Sequence, residues 1–215
     1  MLIIGAKGFA KEVLEVLNQS GEIDDLAFYD DISNDVNEIL FDRFPVIRNL
    51  QDAANYFKTI DNRFTIGIGN PILRKKLYGV FKDLGGVFTS TISNESSIGN
   101  YDVSIGIGCN ILTKSIISNS VTIGMGAILY FNSIVTHDCK IGDFVEISPS
   151  AVILGRCSIS DYCQIGANST ILPNLNIGKN VIVGAGAVVT KDIPDNSVVA
   201  GIPAKIIKKI KPLLF

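Results

Sequence analysis

Residues 135–165 read VTHDCK IGDFVE ISPSAV ILGRCS ISDYCQ I, a stretch of six-residue units that each begin with an aliphatic residue. The same spacing extends outward in both directions, so that every sixth position from Ile105 to Val189 is aliphatic, fifteen in all. The residue four places after each aliphatic is also small or apolar, as at Cys109, Val121 and Ala127. A period of six fits neither a helix nor a single strand, so it predicts a repeat of short strands and corners.

Three such units per turn would form a triangular prism, a parallel β-helix in which inward aliphatics stack about 4.8 Å apart. Ile92 and Ile98 predict one more coil edge, displaced by one residue from the main spacing. The residue directly after the aliphatic is often glycine, which we interpret as the position where the chain turns sharply. These glycines are Gly106, Gly124, Gly142, Gly166, Gly178 and Gly184. The second inward series also contains Cys109, Cys139, Cys157 and Cys163, which we predict to be small core residues.

The first eighty-odd residues have a different pattern, in which apolar strands alternate with helices. Strands are predicted at residues 1–5, 26–29 and 64–69, and helices at residues 8–19, 50–57 and 71–84. This βαβ order predicts a small parallel sheet of Rossmann-like α/β type. Gly85 and Gly86 mark a hinge. The predicted domains are therefore 1–86 (α/β), 87–202 (the all-β prism) and 203–215 (a basic C-terminal tail).

Composition excludes several classes of protein. A formal net charge of -2 gives no broad attraction to nucleic acid. No apolar run approaches the length that crosses a bilayer, and the N-terminus does not resemble a signal peptide. The expected localisation is therefore cytoplasmic.

The turn between the first predicted strand and helix is a candidate anion site. Its residues Gly5, Ala6, Lys7 and Gly8 would offer backbone N–H groups at a helix N-terminus. Asp30 and Asp31, after the second strand, are placed to accept hydrogen bonds from a ribose or base. The complete dinucleotide glycine fingerprint is absent, so NAD is not favoured. A plain strand–helix turn is the alternative.

The repeat resembles that of the hexapeptide-repeat acyltransferase superfamily, whose members form left-handed parallel β-helices. The hand is implied by this resemblance alone. A Rossmann-like domain followed by the prism resembles bacterial nucleotide-sugar N-acetyltransferases of the sialic-acid O-acetyltransferase-like branch. In that branch the N-terminal domain holds the nucleotide, which implies roles for residues 5–8, Asp30, Asp31 and Asn70, with Arg74 nearby.

His137 is the single histidine of the chain, and it lies two residues after inward-facing Val135. It is therefore predicted to point outward, and an outward histidine is often only a solvated side chain. The surrounding HDCKIGDF, residues 137–144, resembles the family motif that carries the catalytic histidine. The resemblance implies that His137 is the general base, that Asp138 orients it, and that Gly155 donates its N–H to the oxyanion.

Further implied sites concern the co-substrate acetyl-CoA. Ala167 and Ala185 match corners that line its pantetheine, and Lys205 lies in the closing segment VAGIPAK, residues 199–205. Two positions depart from the family pattern: Tyr130 stands where many relatives have Asn, and Glu146 where many have a second His. Both are expected at the acceptor and thioester.

These observations predict a cytoplasmic, acetyl-CoA-dependent N-acetyltransferase that acts on a nucleotide-linked amino sugar, with a 4-amino-4,6-dideoxyhexose favoured. The family implies a homotrimer with inter-subunit active sites, and a role in lipopolysaccharide biosynthesis. The alternatives are O-acetylation of a sugar or sialic acid and a non-catalytic nucleotide-binding assembly module. A zinc hydratase on the same prism would need several histidine ligands, so no metal is expected.

Overall fold

The structure, a computed structural model, describes residues 1–214, so Phe215, the last residue of the predicted tail, lies outside the described residues. The N-terminal strands are β1 (Leu2–Ile4), β2 (Ala27–Tyr29), β3 (Ile39–Leu40), β4 (Phe44–Ile47), β5 (Arg63–Ile66) and β6 (Val87–Phe88). The helices are α1 (Gly8–Gln19), α2 (Leu50–Thr59) and α3 (Pro71–Asp83). Among residues 1–214, no helix combines the length and apolarity that a bilayer span requires.

The N-terminal sheet has the order β3-β4-β2-β1-β5-β6 and is parallel except for β3. Helix α1 packs on one face of the sheet, and α2 and α3 contribute to the apolar core on the other. The predicted helices and parallel sheet are therefore confirmed. Strands β3 and β4 were not predicted, and β6, which begins directly after the predicted hinge, also joins this sheet.

The prism has three faces of parallel strands. The first face contains β7 (Thr91–Ile92), β10 (Asn110–Ile111), β13 (Ile128–Leu129), β16 (Glu146–Ile147), β19 (Gln164–Ile165), β22 (Ile182–Val183) and β24 (Ser197–Ala200). The second face contains β8 (Ser97–Ile98), β11 (Ile116–Ile117), β14 (Ile134–Val135), β17 (Val152–Ile153), β20 (Thr170–Ile171) and β23 (Val188–Val189). The third face contains β9 (Ser104–Ile105), β12 (Thr122–Ile123), β15 (Lys140–Ile141), β18 (Ser158–Ile159) and β21 (Asn176–Ile177).

Register within the faces agrees with the predicted repeat. Ile123 pairs with Ile141, eighteen residues on, and the cysteines are buried and free. Ile92 and Ile98 pair with Ile111 and Ile117, which confirms the early coil and its one-residue displacement. The segment predicted as a basic tail forms β25 (Lys205–Lys209), which pairs antiparallel with β24.

The interpretation of the glycines that follow the aliphatics was wrong. The left-handed corner residue stands three places after each aliphatic from Ile105 to Val183, with φ between 54° and 70° at positions such as Gly108, Asp138 and Asn180. These glycines instead allow the backbones of adjacent coils to approach closely, because a Cβ at Gly124 would lie 2.5 Å from the backbone carbonyl carbon of Gly142. They let one coil pack on the next.

The N-terminal domain covers the first face of the prism. The amide of Asn110 donates to Ile66 O at 3.1 Å, and its oxygen accepts from the Thr65 hydroxyl at 3.0 Å. Phe144 and Tyr162 extend from one edge of the prism into the apolar core of the N-terminal domain. This packing makes the two domains one continuous structure.

Candidate active site

His137 and Asp138 lie at the edge between the second and third faces, in the corner that joins β14 to β15. Asp138 is the left-handed residue of that corner, with φ 59°. His137 Nδ1 lies 2.7 Å from Asp138 Oδ2, and both side chains are 53% exposed. Because an ionised carboxylate only accepts hydrogen bonds, Nδ1 carries the proton and Nε2 has the free lone pair. This is the arrangement that a general base requires.

Gly155 lies one coil beyond His137 on the same edge. A Cβ there would lie 2.5 Å from His137 Cε1 and 2.7 Å from Nε2, so only glycine leaves room for the imidazole. The Gly155 carbonyl accepts from Asn174 N at 3.0 Å, whereas among residues 1–214 its own N–H has no hydrogen-bond acceptor. A free backbone donor therefore lies beside a free imidazole nitrogen.

A cavity of about 300 Å³ opens at the carboxyl ends of β1 and β2. Its lining includes Gly5, Asp30 and Asp31, which the sequence analysis grouped as nucleotide ligands. The structure adds side chains that the sequence analysis missed, with an apolar stripe of α3 among them. These are Ile32, Leu50, Ile68, Leu73, Lys76, Leu77, Val80 and Phe81. The spacing of Leu73, Leu77 and Val80 on one helix face was the signal available for them.

The turn from β1 to α1 is tightly built. Gly5 has φ +105°, and a Cβ there would lie 2.9 Å from Ile68 Cγ1, so glycine is required on both grounds. Ala6 is buried, and Gly8 begins α1 with open space beside it. Lys7 forms an exposed ion pair with Asp35 at 2.7 Å, which lowers the pKa of Asp35 through their hydrogen bond.

The two predicted aspartates have different environments. Asp30 is buried, and its Oδ1 accepts from the backbone N–H groups of Ile32 (3.2 Å) and Ser33 (2.8 Å). That oxygen orders its own loop, whereas Asp31 is exposed at the cavity.

Arg48, which the sequence analysis also missed, stabilises the loop that follows β2 and carries Asp30 and Asp31. Its guanidinium donates to the carbonyls of Asp30 at 2.8 Å and Ser33 at 3.0 Å, and to that of Val36. No local sequence pattern marks Arg48, since its partners are backbone atoms brought near by the fold.

Tyr130 and Glu146 meet at the first face, under the N-terminal domain. A Cβ on Gly69 would lie 3.5 Å from Glu146 Oε2 and 3.9 Å from the Tyr130 hydroxyl, and the Phe9 ring is 5.0 Å from that of Tyr130. Burial raises the pKa of Glu146, although Arg74 opposes the shift. The two departures from the family pattern therefore lie beside the same residue, Gly69.

Arg74 lies in the interior between the domains rather than at an open nucleotide site. It is 1% exposed, and its guanidinium donates to Phe144 O at 2.6 Å and to the Gly69 carbonyl. Burial lowers its pKa to about 10, which leaves it charged at neutral pH. Asn70 caps α3 by accepting from Leu73 N at 2.9 Å. Both residues position α3.

The residues that the family resemblance assigns to acetyl-CoA occupy two edges. Ala167 and Ala185 follow β19 and β22, so they lie on the edge between the first and second faces, one coil apart. Gly155 lies on the His137 edge. Lys205 begins β25 and is exposed. Gly184 packs against Ala200 at the end of β24, where an ideal Cβ on Gly184 would lie 3.1 Å from the Ala200 Cβ.

One chain does not bring these groups together. The His137 edge is opposite the first face, which the N-terminal domain covers together with Tyr130 and Glu146. Within a single chain, the imidazole and the cavity at Asp31 therefore lie on opposite sides of the prism.

Residues 1–81 match the model of the PglD N-terminal domain, and residues 156–191 match that of the bacterial transferase hexapeptide, six repeats. WeeI from Acinetobacter baumannii AYE is 32% identical, with a TM-score of 0.87 over 96% of this chain and 98% of that one. The acetyltransferase domain of PglB from Neisseria gonorrhoeae is 30% identical, with a TM-score of 0.86 over 96% of this chain and 98% of that one.

A point variant of perosamine N-acetyltransferase from Caulobacter crescentus, in complex with CoA and GDP-perosamine, is 29% identical, with a TM-score of 0.89 over 97% and 96% of the two chains. A 25-residue segment is 76% identical to 2,3,4,5-tetrahydropyridine-2,6-dicarboxylate N-acetyltransferase from Thermosipho africanus, and it spans 12% of this chain and 11% of that protein. The chain belongs to the left-handed β-helix, hexapeptide-repeat acyltransferases, in the branch of nucleotide-sugar N-acetyltransferases with a PglD-type N-terminal domain.

Proposed function

We propose that this protein transfers the acetyl group of acetyl-CoA to the amino group of a nucleotide-linked amino sugar, with a 4-amino-4,6-dideoxyhexose as the favoured acceptor. The observation that carries the proposal is the His137–Asp138 pair at 2.7 Å, which leaves Nε2 free beside Gly155. The perosamine N-acetyltransferase of similar structure, which holds CoA and GDP-perosamine, supports the substrate class.

The proposed reaction is a direct transfer. The acceptor amine attacks the thioester carbonyl carbon while His137 Nε2 takes the amine proton, and Asp138 supports the resulting imidazolium. The oxyanion of the tetrahedral intermediate accepts a hydrogen bond from the free Gly155 N–H. The carbon–sulfur bond then breaks, and the leaving thiolate takes the proton back from the imidazolium. The buried cysteines have no role in these steps.

Binding of the two substrates follows the chemistry of the surfaces. The cavity near Gly5 and Asp31 would take the nucleotide, with Lys7 and the start of α1 at its diphosphate. Tyr130 and Glu146 would contact the acceptor sugar. Pantetheine would follow Ala167 and Ala185, whose small side chains leave a groove, and Lys205 would contact a coenzyme phosphate.

The proposed site needs a second copy of the chain, since His137 lies opposite its own nucleotide cavity. The second face supplies an apolar surface for such packing. Four of its six outward residues are apolar, namely Ile116, Ile134, Val152 and Val188, and the other two are Ser97 and Thr170. Ile116 is 42% exposed. The corresponding residues of the third face, such as Thr122, Lys140 and Asn176, are polar. We propose a homotrimer in which each second face is covered by a neighbouring subunit.

Steady-state turnover tests the proposal directly. Thiol release from acetyl-CoA is measured with a panel of nucleotide-linked amino sugars, the corresponding free amino sugars and sialic acid. Turnover restricted to the nucleotide-linked amines supports the proposal, and full activity in His137→Ala would refute the assigned base. Preference for a hydroxyl acceptor would indicate an O-acetyltransferase. Nucleotide binding without acetyl-CoA binding would indicate a non-catalytic module.

A further inference from the structure

Tyr29 ends β2 at the cavity near Gly5 and Asp31, and its own role is not explained by the fold. The side chain is 3% exposed and its ring packs edge-on against Phe81, with centroids 4.9 Å apart. The hydroxyl is buried and among residues 1–214 it makes no hydrogen bond of good geometry, although Tyr29 is one of the residues that line the cavity. Buried hydroxyl groups without a partner are uncommon and destabilising, so the group calls for an external partner.

The hydroxyl is a donor in this position. Burial, and then a hydrogen-bonding contact of imperfect geometry with the Asp31 carboxylate, raise the pKa of Tyr29, so the phenol keeps its proton. An acceptor atom of the bound molecule is therefore the complementary group.

The surroundings of Tyr29 indicate which part of the nucleotide carries this acceptor atom. Tyr29 points to the sheet face that packs against α3, whereas the turn at Gly5 leads into α1 on the opposite face. Around Tyr29 the cavity walls are apolar, with Leu73, Leu77 and Phe81 among them. Such walls suit a flat ring and would not solvate a diphosphate.

We propose that the Tyr29 hydroxyl donates a hydrogen bond to a carbonyl oxygen or ring nitrogen of the nucleobase, and thereby helps to select the nucleotide. The inference rests on the proposed function, since it names a contact within the same nucleotide cavity. It makes Tyr29 a binding residue rather than only a core residue.

The substitution Tyr29→Phe separates these two roles because it removes only the hydroxyl. Calorimetric titration of the full chain with GDP, UDP, dTDP and ADP identifies the tightest nucleotide. For that nucleotide we expect the dissociation constant to rise about tenfold in the variant, as for the loss of one hydrogen bond. In turnover, KM for the nucleotide sugar rises while kcat is retained. The ligand-free variant unfolds at the same or a higher temperature, because a buried unpaired group has been removed.

Tyr56→Phe is the matched control. Tyr56 lies in the same apolar core and its hydroxyl donates to the Asp25 carbonyl, at the opposite end of the sheet. This variant is expected to unfold at a lower temperature with unchanged nucleotide affinity.

Undiminished affinity in Tyr29→Phe, or a lower unfolding temperature without ligand, would overturn the inference and leave the proposed function intact. Failure of the unaltered protein to bind any of the nucleotides would overturn the proposed nucleotide site, and the inference with it.

Discussion

The imidazole of His137 lies so close to the α-carbon of Gly155 that a Cβ there would be 2.5 Å from its Cε1. Gly155→Ala must therefore displace the imidazole, which is exposed and free to rotate away. We expect kcat for acetyl transfer to fall by about 100-fold or more, while the unfolding free energy changes by less than about 1 kcal/mol. Gly79→Ala, in α3 with open space around it, should keep full activity and gain about 0.5–1 kcal/mol of stability.

Asp138 determines which nitrogen of His137 has the proton. In Asp138→Asn the amide can donate to Nδ1, which favours the tautomer with the proton on Nε2 and removes the base. We expect kcat to fall by about 10²–10⁴-fold with little change in KM, measured by thiol release. Asp102→Asn is the control, because Asp102 is also a left-handed residue, with φ 55°, on the same edge of the first coil. Equal activity of both variants would contradict the assigned role.

The repeat could be predicted from sequence because each inward position has to be small or aliphatic, whatever its neighbours. The left-handed corner could not, since its occupants vary from Asp138 to Phe144 and Arg156, and the conformation is imposed by coil stacking. Strand β4 was missed because Pro45 and the adjacent charges obscure its short apolar pattern.

The candidate site residues also fall into two groups, those that could be predicted from sequence and those that could not. Gly5 and His137 belong to local motifs, so the sequence was enough to select them. Arg48 acts through partners that are distant in sequence, and only the fold places its guanidinium beside the loop of Asp30. His137 and the cavity near Gly5 and Asp31 lie on opposite sides of the prism, and this too depends on which face the N-terminal domain covers.

Glu146 should make stability fall as pH rises. Burial raises the pKa of Glu146 in the folded protein above the ordinary glutamate value of 4.5, so the folded state holds the proton more tightly than the unfolded state. This contribution is complete below pH 4.5 and is lost as pH rises through the raised pKa. Denaturant unfolding of Glu146→Gln should therefore show stability increasing relative to the unaltered protein across that window. Glu95→Gln, at an exposed position, is the matched control.

Arg48 orders the loop that carries Asp31, through its bonds to the carbonyls of Asp30 and Ser33. Arg48→Met removes these donors, so nucleotide binding has to order the loop itself. We expect the nucleotide dissociation constant to rise about tenfold, and amide exchange in residues 30–37 to accelerate. Arg43→Met is the control, because Arg43 lies over the Phe44 ring at the other end of the sheet. Unchanged nucleotide affinity together with faster amide exchange would contradict the prediction, because it would show that loop order does not contribute to binding.

The apolar second face predicts a defined assembly. Val152 faces outward in the middle of that face, paired with Ile134 on the preceding coil. A lysine there would be buried without a partner in the proposed trimer, a cost of several kcal/mol that an exposed lysine does not incur. Light scattering should therefore show monomers for Val152→Lys, with acetyl transfer lost because His137 no longer meets a neighbouring nucleotide cavity. Thr122→Lys, on the polar third face, should remain trimeric and active. An active Val152→Lys monomer would show that one chain completes the site, against the geometry of the prism.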